Sequence, residues 1–208
     1  MLPLSDTSLL IQLGDKIDPQ INRRVHMLAA ALALDPLPGI CETVPGYASL
    51  TIHYDPLALT HTQVADWLTA HLHLSAAAAS RPLKLIEVPV IYDGPDLASV
   101  AETCRLSPAK IICQHTSTLY TVYMMGFTPG FPYLGILPES IRVPRLAAPR
   151  SHVQAGAVAI AGMQTGIYPV DSPGGWQLIG RTALTLFDPA RAQPFLFAPG
   201  DQVQFIAL

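Results

Sequence analysis

GFTPGFPYLGILPESIRVPRLAAPRSHVQAGAVAIAGMQTGIYPVDSPGGWQLIGRT, residues Gly126–Thr182, is the stretch that decides how this chain folds. It holds nine of the fourteen glycines and seven of the twenty prolines, which excludes a continuous helix across it. Each proline removes an amide donor, and each glycine costs about 1 kcal/mol against alanine in a helix interior. Short strands joined by rigid, tight turns are what remains. The charge is one-sided as well: Arg142, Arg145, Arg150 and Arg181 with no lysine, against only Glu139 and Asp171. Such a surface binds a ligand or interlocks with a partner.

On the N-terminal side, Ser8–Leu13 is a short apolar strand, and Asp18-Pro19 reads as an N-cap followed by proline at the first helical position. Ile17, Ile21, Val25, Leu28 and Leu32 recur at helical spacing until Pro36 and Pro38 stop the helix. Ile40–Val44 and Tyr47–Tyr54 read as strands joined at Pro45-Gly46, with Leu50, Ile52 and Tyr54 alternating against Ser49, Thr51 and His53. Thr60 and Gln63 form a capping box ahead of a second helix carrying Val64, Trp67, Leu68 and Leu72. Leu74–Pro82 is a connector and Leu83–Tyr92 the next strand. The order β-α-β-β-α-β predicts a ferredoxin-like layer, two helices over an antiparallel sheet.

From Asp93 onward, Asp96 and Ser107-Pro108 read as N-caps of helices over 96–104 and 107–114. Leu119–Met125, Ala157–Ala161, Trp176–Gly180, Ala183–Phe187 and Gln202–Ala207 read as short strands of a closed or nearly closed β-barrel. The expected class is therefore α+β, with a ferredoxin-like domain over 1–82 and a barrel over 83–208.

Composition narrows the function. Half of the residues are hydrophobic and 13% charged, which describes a well-buried globular chain with some apolar surface covered by another subunit. A net charge of −3 offers no electrostatic footprint for nucleic acid. The start MLPLSDTSLL lacks a basic leader region, and no apolar run approaches the roughly 20 residues that span a bilayer. Cys41, Cys104 and Cys113 form no paired motif and read as free thiols in a reducing cytoplasm.

No phosphate-binding loop, dinucleotide fingerprint or zinc motif is present. His71-x-His73 has chelating spacing, but its place at a helix end favours a solvated or packing role. His115 reads either as a hydrogen-bonded structural histidine or as a catalytic one. In Thr128–Tyr133, the residues Pro129, Gly130, Phe131 and Tyr133 are a rigid turn, a pocket wall, or both. Arg145 and Arg150 have the planar fork that suits carboxylate or phosphate oxygens, and both are read as surface residues whose loss costs little stability. Gln164, Thr165 and Tyr168 are read on one loop of the barrel rim, and Pro173, Gly174 and Gly175 on another whose amides can cradle an anion. Trp176 then fills the barrel.

The blocks GFTPGFPYLG, PRLAAPRSHV, QTGIYPVDSPGGW and IGRT, in this order and spacing, resemble the family of 5-oxoprolinase B subunits, also called the Kip-type kinase-A inhibitor or allophanate hydrolase subunit 1 family. The resemblance runs along nearly the whole chain. It departs at Gln154 and Ala157, where family members have proline and serine. The resemblance implies a cyclophilin-like barrel and one subunit of an ATP-dependent enzyme that opens 5-oxo-L-proline to L-glutamate, probed best by co-purification. It implies the C and A subunits of 5-oxoprolinase as partners, no activity in the isolated chain, and an ATP site, with Mg²⁺, completed by the C subunit. The same resemblance leaves open a regulatory module that inhibits a sensor histidine kinase, and a component of a urea or allophanate pathway.

Overall fold

The computed structural model describes residues 1–72 and 83–208; His73 and the expected connector Leu74–Pro82 lie outside the described residues. The chain divides into two compact units, Met1–Pro82 and Leu83–Leu208.

In the first unit, β1 (Leu2–Ser5), β2 (Ser8–Gln12), β3 (Ile40–Pro45) and β4 (Ser49–Tyr54) form an antiparallel sheet in the order β1-β2-β4-β3. Helices α1 (Pro19–Leu34) and α2 (His61–Leu72) pack on it. Both starts are capped as the sequence predicts: Asp18 accepts from the amides of Gln20 and Ile21, and Thr60 and Gln63 bond reciprocally. The buried cluster joins Leu9, Ile11, Leu50, Ile52 and Tyr54 of the sheet to Val25, Leu28 and Leu32 of α1 and Val64 and Leu68 of α2. The expected ferredoxin-like order fails at its last element. Residues 83–92 do not enter this sheet, and the edge beside β2 is taken by the N-terminal strand β1, which the sequence pattern did not mark. His71 is buried, with Nδ1 on the Trp67 carbonyl and Nε2 3.2 Å from Asp35.

The second unit contains a seven-stranded sheet. Its strands are β5 (Leu85–Val90), β6 (Leu119–Met125), β7 (Pro132–Gly135), β9 (Ala157–Ala161), β10 (Gln164–Ile167), β12 (Gln177–Arg181) and β13 (Gln202–Ala207), in the order β12-β9-β10-β7-β6-β13-β5. β13 lies parallel to β5 along its whole length and antiparallel to β6. The first and last strands then meet. Just past β5, Ile91 and Arg181 exchange both backbone hydrogen bonds at 2.9 Å, and the amides of Gly94 and Asp96 reach the carbonyls of Ile179 and Leu178. The sheet is thereby a nearly closed barrel. Gly94 is required at this seam, since a Cβ there would collide with the Ile179 backbone. With both edges of β12 occupied, Ala183–Phe187 finds no free edge and is not a strand beyond a bridge from Phe187 to Phe195.

Helices α3 (Leu97–Cys104) and α4 (Pro108–Thr116) cover the barrel. Ser107 caps α4 through the Lys110 amide. Asp96 precedes α3, but its side chain makes no capping bond. A separate two-stranded ladder pairs β8 (Arg150–Val153) with β11 (Ser172–Gly174).

The sheet has two apolar faces, and β9 shows how. Val158 and Ile160 enter the main core with Val88, Val122, Leu134 and Phe205, whereas Ala157, Ala159 and Ala161 face a second cluster. Strand alternation produces the division. Small side chains on the second face leave room for Phe131, Tyr168 and Trp176. Trp176 thus does not fill the barrel, as expected from sequence, but packs on this other face.

His115 lies in the main core, fully buried. The Thr165 hydroxyl donates to the Ala159 carbonyl, so it accepts from His115 Nε2–H at 2.9 Å. Nδ1 is therefore the acceptor, and the Tyr92 hydroxyl donates to it at 2.6 Å. The ring rests 4.3 Å from that of Phe205. Burial pushes the His115 pKa down to about 3. A neutral imidazole with both nitrogens engaged and no exposure ties α4 to β9, β10 and the end of β5. His115 is withdrawn from the candidate catalytic set.

Two outcomes are expected. Between pH 6.5 and about 3 the unfolded chain binds a proton at residue 115 that the folded chain does not, so stability falls as pH falls, by about 1.4 kcal/mol per unit from this group. Denaturant unfolding from pH 7 to 4 should give a shallower slope for His115→Gln than for the wild type, and equal slopes would refute a buried neutral His115. Trp176→Ala should lower stability by about 3–5 kcal/mol, read from the same unfolding curves at pH 7.

Candidate functional site

Five aromatic side chains gather on and beside the second apolar face: Phe127, Phe131, Tyr133, Tyr168 and Trp176. The Phe131 ring stands edge-on to Tyr133 at 5.0 Å, Tyr168 at 5.2 Å and Trp176 at 5.4 Å. Tyr133 in turn lies 5.8 Å from Trp176. T-shaped pairs of this kind contribute about 0.5–1.5 kcal/mol each beyond their burial. Glycine makes the packing possible. A Cβ on Gly174 would collide with the Tyr168 hydroxyl, and one on Gly166 would lie 2.8 Å from the Phe131 ring.

Phe127 extends the group to the surface at 61% exposure, 5.6 Å from Phe131 and 6.4 Å from Tyr168. Its φ is +69°, and the Thr128 amide bonds back to the Gly126 carbonyl at 2.9 Å. This is a γ-turn centred on a bulky residue, a strained conformation of the sort that concentrates at functional sites. No sequence signal beyond the neighbouring glycines marked Phe127 for attention.

Two arginines stand at the same place. The Arg145 guanidinium carbon sits 6.0 Å from the centre of the Trp176 ring, within cation–π range, and the residue is exposed. Arg150 differs from its expected surface role. Its Nη2 donates to Asp96 Oδ1 at 2.6 Å, and Asp96 Oδ2 accepts from the Leu178 amide at 2.6 Å. Asp96 is buried, so loss of Arg150 would strand its charge, and Arg150→Ala is a destabilising change. Burial raises the pKa of Tyr133, opposed by Arg145. Tyr168 is likewise raised by burial, opposed by the Trp176 backbone and by both arginines. Both phenols are therefore protonated hydrogen-bond donors at neutral pH.

Of the residues singled out from sequence, Phe131, Tyr133, Arg145, Arg150, Tyr168, Gly174 and Gly175 come together here. The Gly175 carbonyl accepts from the Leu146 amide at 2.7 Å, next to Arg145. Gly130 is buried and has φ +86°, while Pro129 and Pro173 are exposed beside it and beside Gly174. Gln164 and Thr165 are not on a rim loop: both belong to β10, inside the sheet. Their alternation separates them, because Thr165 faces His115 and Gln164 shares the opposite face with Gly166. Asp96, read from sequence only as a cap, is a second residue that sequence reasoning missed, after Phe127. Its partners lie 54 and 82 positions away.

Among the described residues, no group of three or more His, Cys, Asp or Glu side chains converges as a metal site would require. The donors here, guanidinium and phenol, suit an oxyanion.

Known proteins share this chain's pattern. The carboxyltransferase domain, subdomain C and D family matches residues 1–197. The 5-oxoprolinase B subunit of Bacillus subtilis is 40% identical over 99% of this chain and 91% of its own length. The crystal structure of TTHA0988 is 41% identical with a TM-score of 0.86, over 97% of this chain and 39% of that one, so this chain spans about two-fifths of it. The Kluyveromyces lactis urea amidolyase, at 20% identity and TM-score 0.78 over 98% of this chain and 14% of its own, shares the fold. The chain belongs to the family of 5-oxoprolinase B subunits.

Proposed function

We propose that this chain is the B subunit of an ATP-dependent 5-oxoprolinase and helps to activate 5-oxo-L-proline for ring opening to L-glutamate in the cytoplasm, together with the C and A subunits. The observation that carries this reading is the 40–42% identity, over 98–99% of the chain, to curated bacterial 5-oxoprolinase B subunits. Among the described residues no helix is long and apolar enough to cross a membrane. The two compact units are read as two domains, the second of the cyclophilin-like class, a reading supported by the barrel's seam at Ile91 and Arg181.

The substrate explains the donor set. 5-Oxo-L-proline presents a carboxylate and a lactam carbonyl, and both are hydrogen-bond acceptors. The lactam is a poor electrophile, and ATP supplies the phosphoryl group that turns its oxygen into a leaving group for water to displace. Arg145, exposed beside Trp176, would draw in the anionic substrate, and its fork would hold an oxyanion. The protonated Tyr133 would donate to the substrate's oxygens, and the exposed Phe127 would pack against its flat ring, with the buried Phe131, Tyr168 and Trp176 supporting both from beneath. Pro129, Pro173 and Gly175 border the surface, and Gly130, Gln164 and Gly174 lie buried beneath it. The chain has no nucleotide-binding motif of its own, so we assign the remainder of the ATP and Mg²⁺ site to a partner subunit.

The test is reconstitution. Glutamate release from 5-oxo-L-proline should require ATP and the assembled subunits, and the isolated chain should show none. Turnover by the single chain at the rate of the complex would overturn the shared-site reading. Arg145→Ala should reduce activity of the complex at least tenfold, about 1.4 kcal/mol, with little change in melting temperature. Full activity of that variant would place the chemistry away from this face.

A further inference from the structure

We infer that Arg150 and Ser172 form an oxyanion-binding subsite on the face of the β8–β11 ladder turned toward Tyr168, with Asp96 as the residue that positions Arg150. The subsite takes a carboxylate or phosphate oxygen, and only the choice of ligands offered to it rests on the proposed function.

The geometry comes from the ladder. Residues opposite one another in an antiparallel pair project to the same side. Gly174 pairs with Arg150 and Ser172 with Val153, across a bulge. Val153 is buried in the aromatic cluster, and a Cβ on Gly174 would run into the Tyr168 hydroxyl. Arg150, Ser172 and Tyr168 therefore share one enclosed face, and the tyrosine feels the arginine's charge.

On that face the polar atoms do not satisfy one another. Among the described residues, Arg150 Nη1 and Ser172 Oγ are both buried without a hydrogen-bond partner, and Ser172 as a whole is 8% exposed. A buried polar group left unpaired costs about 1–3 kcal/mol, and the great majority in folded proteins are paired. The chemistry of the groups specifies what would pair them. A guanidinium only donates, a serine hydroxyl has a proton to give, and Tyr168 keeps its own proton because burial raises its pKa. Three donors with one positive charge call for an anionic acceptor. Asp96 does not fill that role. Its Oδ1 takes Nη2 and its Oδ2 takes the Leu178 amide, so it fixes the guanidinium plane and leaves Nη1 directed elsewhere.

Ser172→Ala separates a ligand role from a structural one, because removal of an unpaired buried hydroxyl is neutral or stabilising, whereas removal of a bonded one is not. The assembled complex and the full chain are titrated calorimetrically with 5-oxo-L-proline and with inorganic phosphate, alongside melting curves and KM values for 5-oxo-L-proline and ATP. The expected result is a melting temperature for Ser172→Ala no lower than wild type, with binding of one probe, or the matching KM, worsened at least tenfold. Loss confined to 5-oxo-L-proline identifies the oxyanion as its carboxylate, and loss confined to phosphate or ATP identifies it as a phosphoryl group. Arg150→Lys, which keeps the charge beside Asp96 and lacks the second nitrogen, should show the same selective loss. Unchanged affinities in both variants, a lower melting temperature with unchanged affinity in Ser172→Ala, or binding of neither probe by the wild-type complex would each overturn the subsite. A wild-type complex that releases no glutamate from 5-oxo-L-proline, yet loses phosphate binding on Ser172→Ala, would instead overturn the proposed function and leave the subsite standing.

Discussion

The closing seam of the second unit is the constraint on which the rest depends. A seven-stranded sheet with open ends would expose two rows of unpaired backbone groups. Here the segment after β5 turns onto β12, and four backbone hydrogen bonds between residues 91–96 and 178–181 remove both edges at once. Asp96 then does at the side-chain level what the amides do along the backbone. Its carboxylate ties Leu178 of the seam to Arg150 of the outer ladder, so closure of the barrel and placement of the candidate ligand face are one event. An isolated carboxylate buried there would be strongly unfavourable; paired with a guanidinium and an amide, it is tolerated and directional.

The second consequence of closure is a division of labour between the two faces of the sheet. Large branched residues of β9 fill the inside, and its alanines make a shallow floor outside. Aromatic rings from β7, from the segment after β10 and from the turn before β12 settle on that floor. Rings on a rigid sheet lose little conformational freedom when a ligand arrives, which favours recognition of a small flat molecule.

Much of this was legible from the residues. Leu119–Met125, Ala157–Ala161 and Gln202–Ala207 are strands over the spans read from their patterns, and Asp18, Thr60 and Ser107 cap helices as their chemistry predicts. The strands β7, β8, β10 and β11 were not legible, because each has three or four residues and glycine or proline lies in or beside most of them. Such segments are held by their neighbours in the sheet, not by their own preference. The same limit applied to the site. The sequence marked Arg145, Arg150, Tyr133 and Tyr168 by type, but a pairing such as Arg150 with Asp96 or His115 with Thr165 spans 50 residues or more and leaves no local trace. His115 misled for that reason, since its surroundings in the chain are polar and its surroundings in space are not.

The position of β13 bears on how the molecule is made. It lies between β6 and β5, parallel to one and antiparallel to the other, and it comes after every other strand of the ring. During synthesis from the N-terminus, β5 emerges first and has no partner on that side until more than a hundred further residues have been added. Its edge on that side stays unpaired throughout that interval, and an unpaired strand edge is where a growing chain associates with others. Loss of the residues from 202 onward would remove the strand that joins β5 to β6, leaving β5 without its ladder and β6 paired on the β7 side alone.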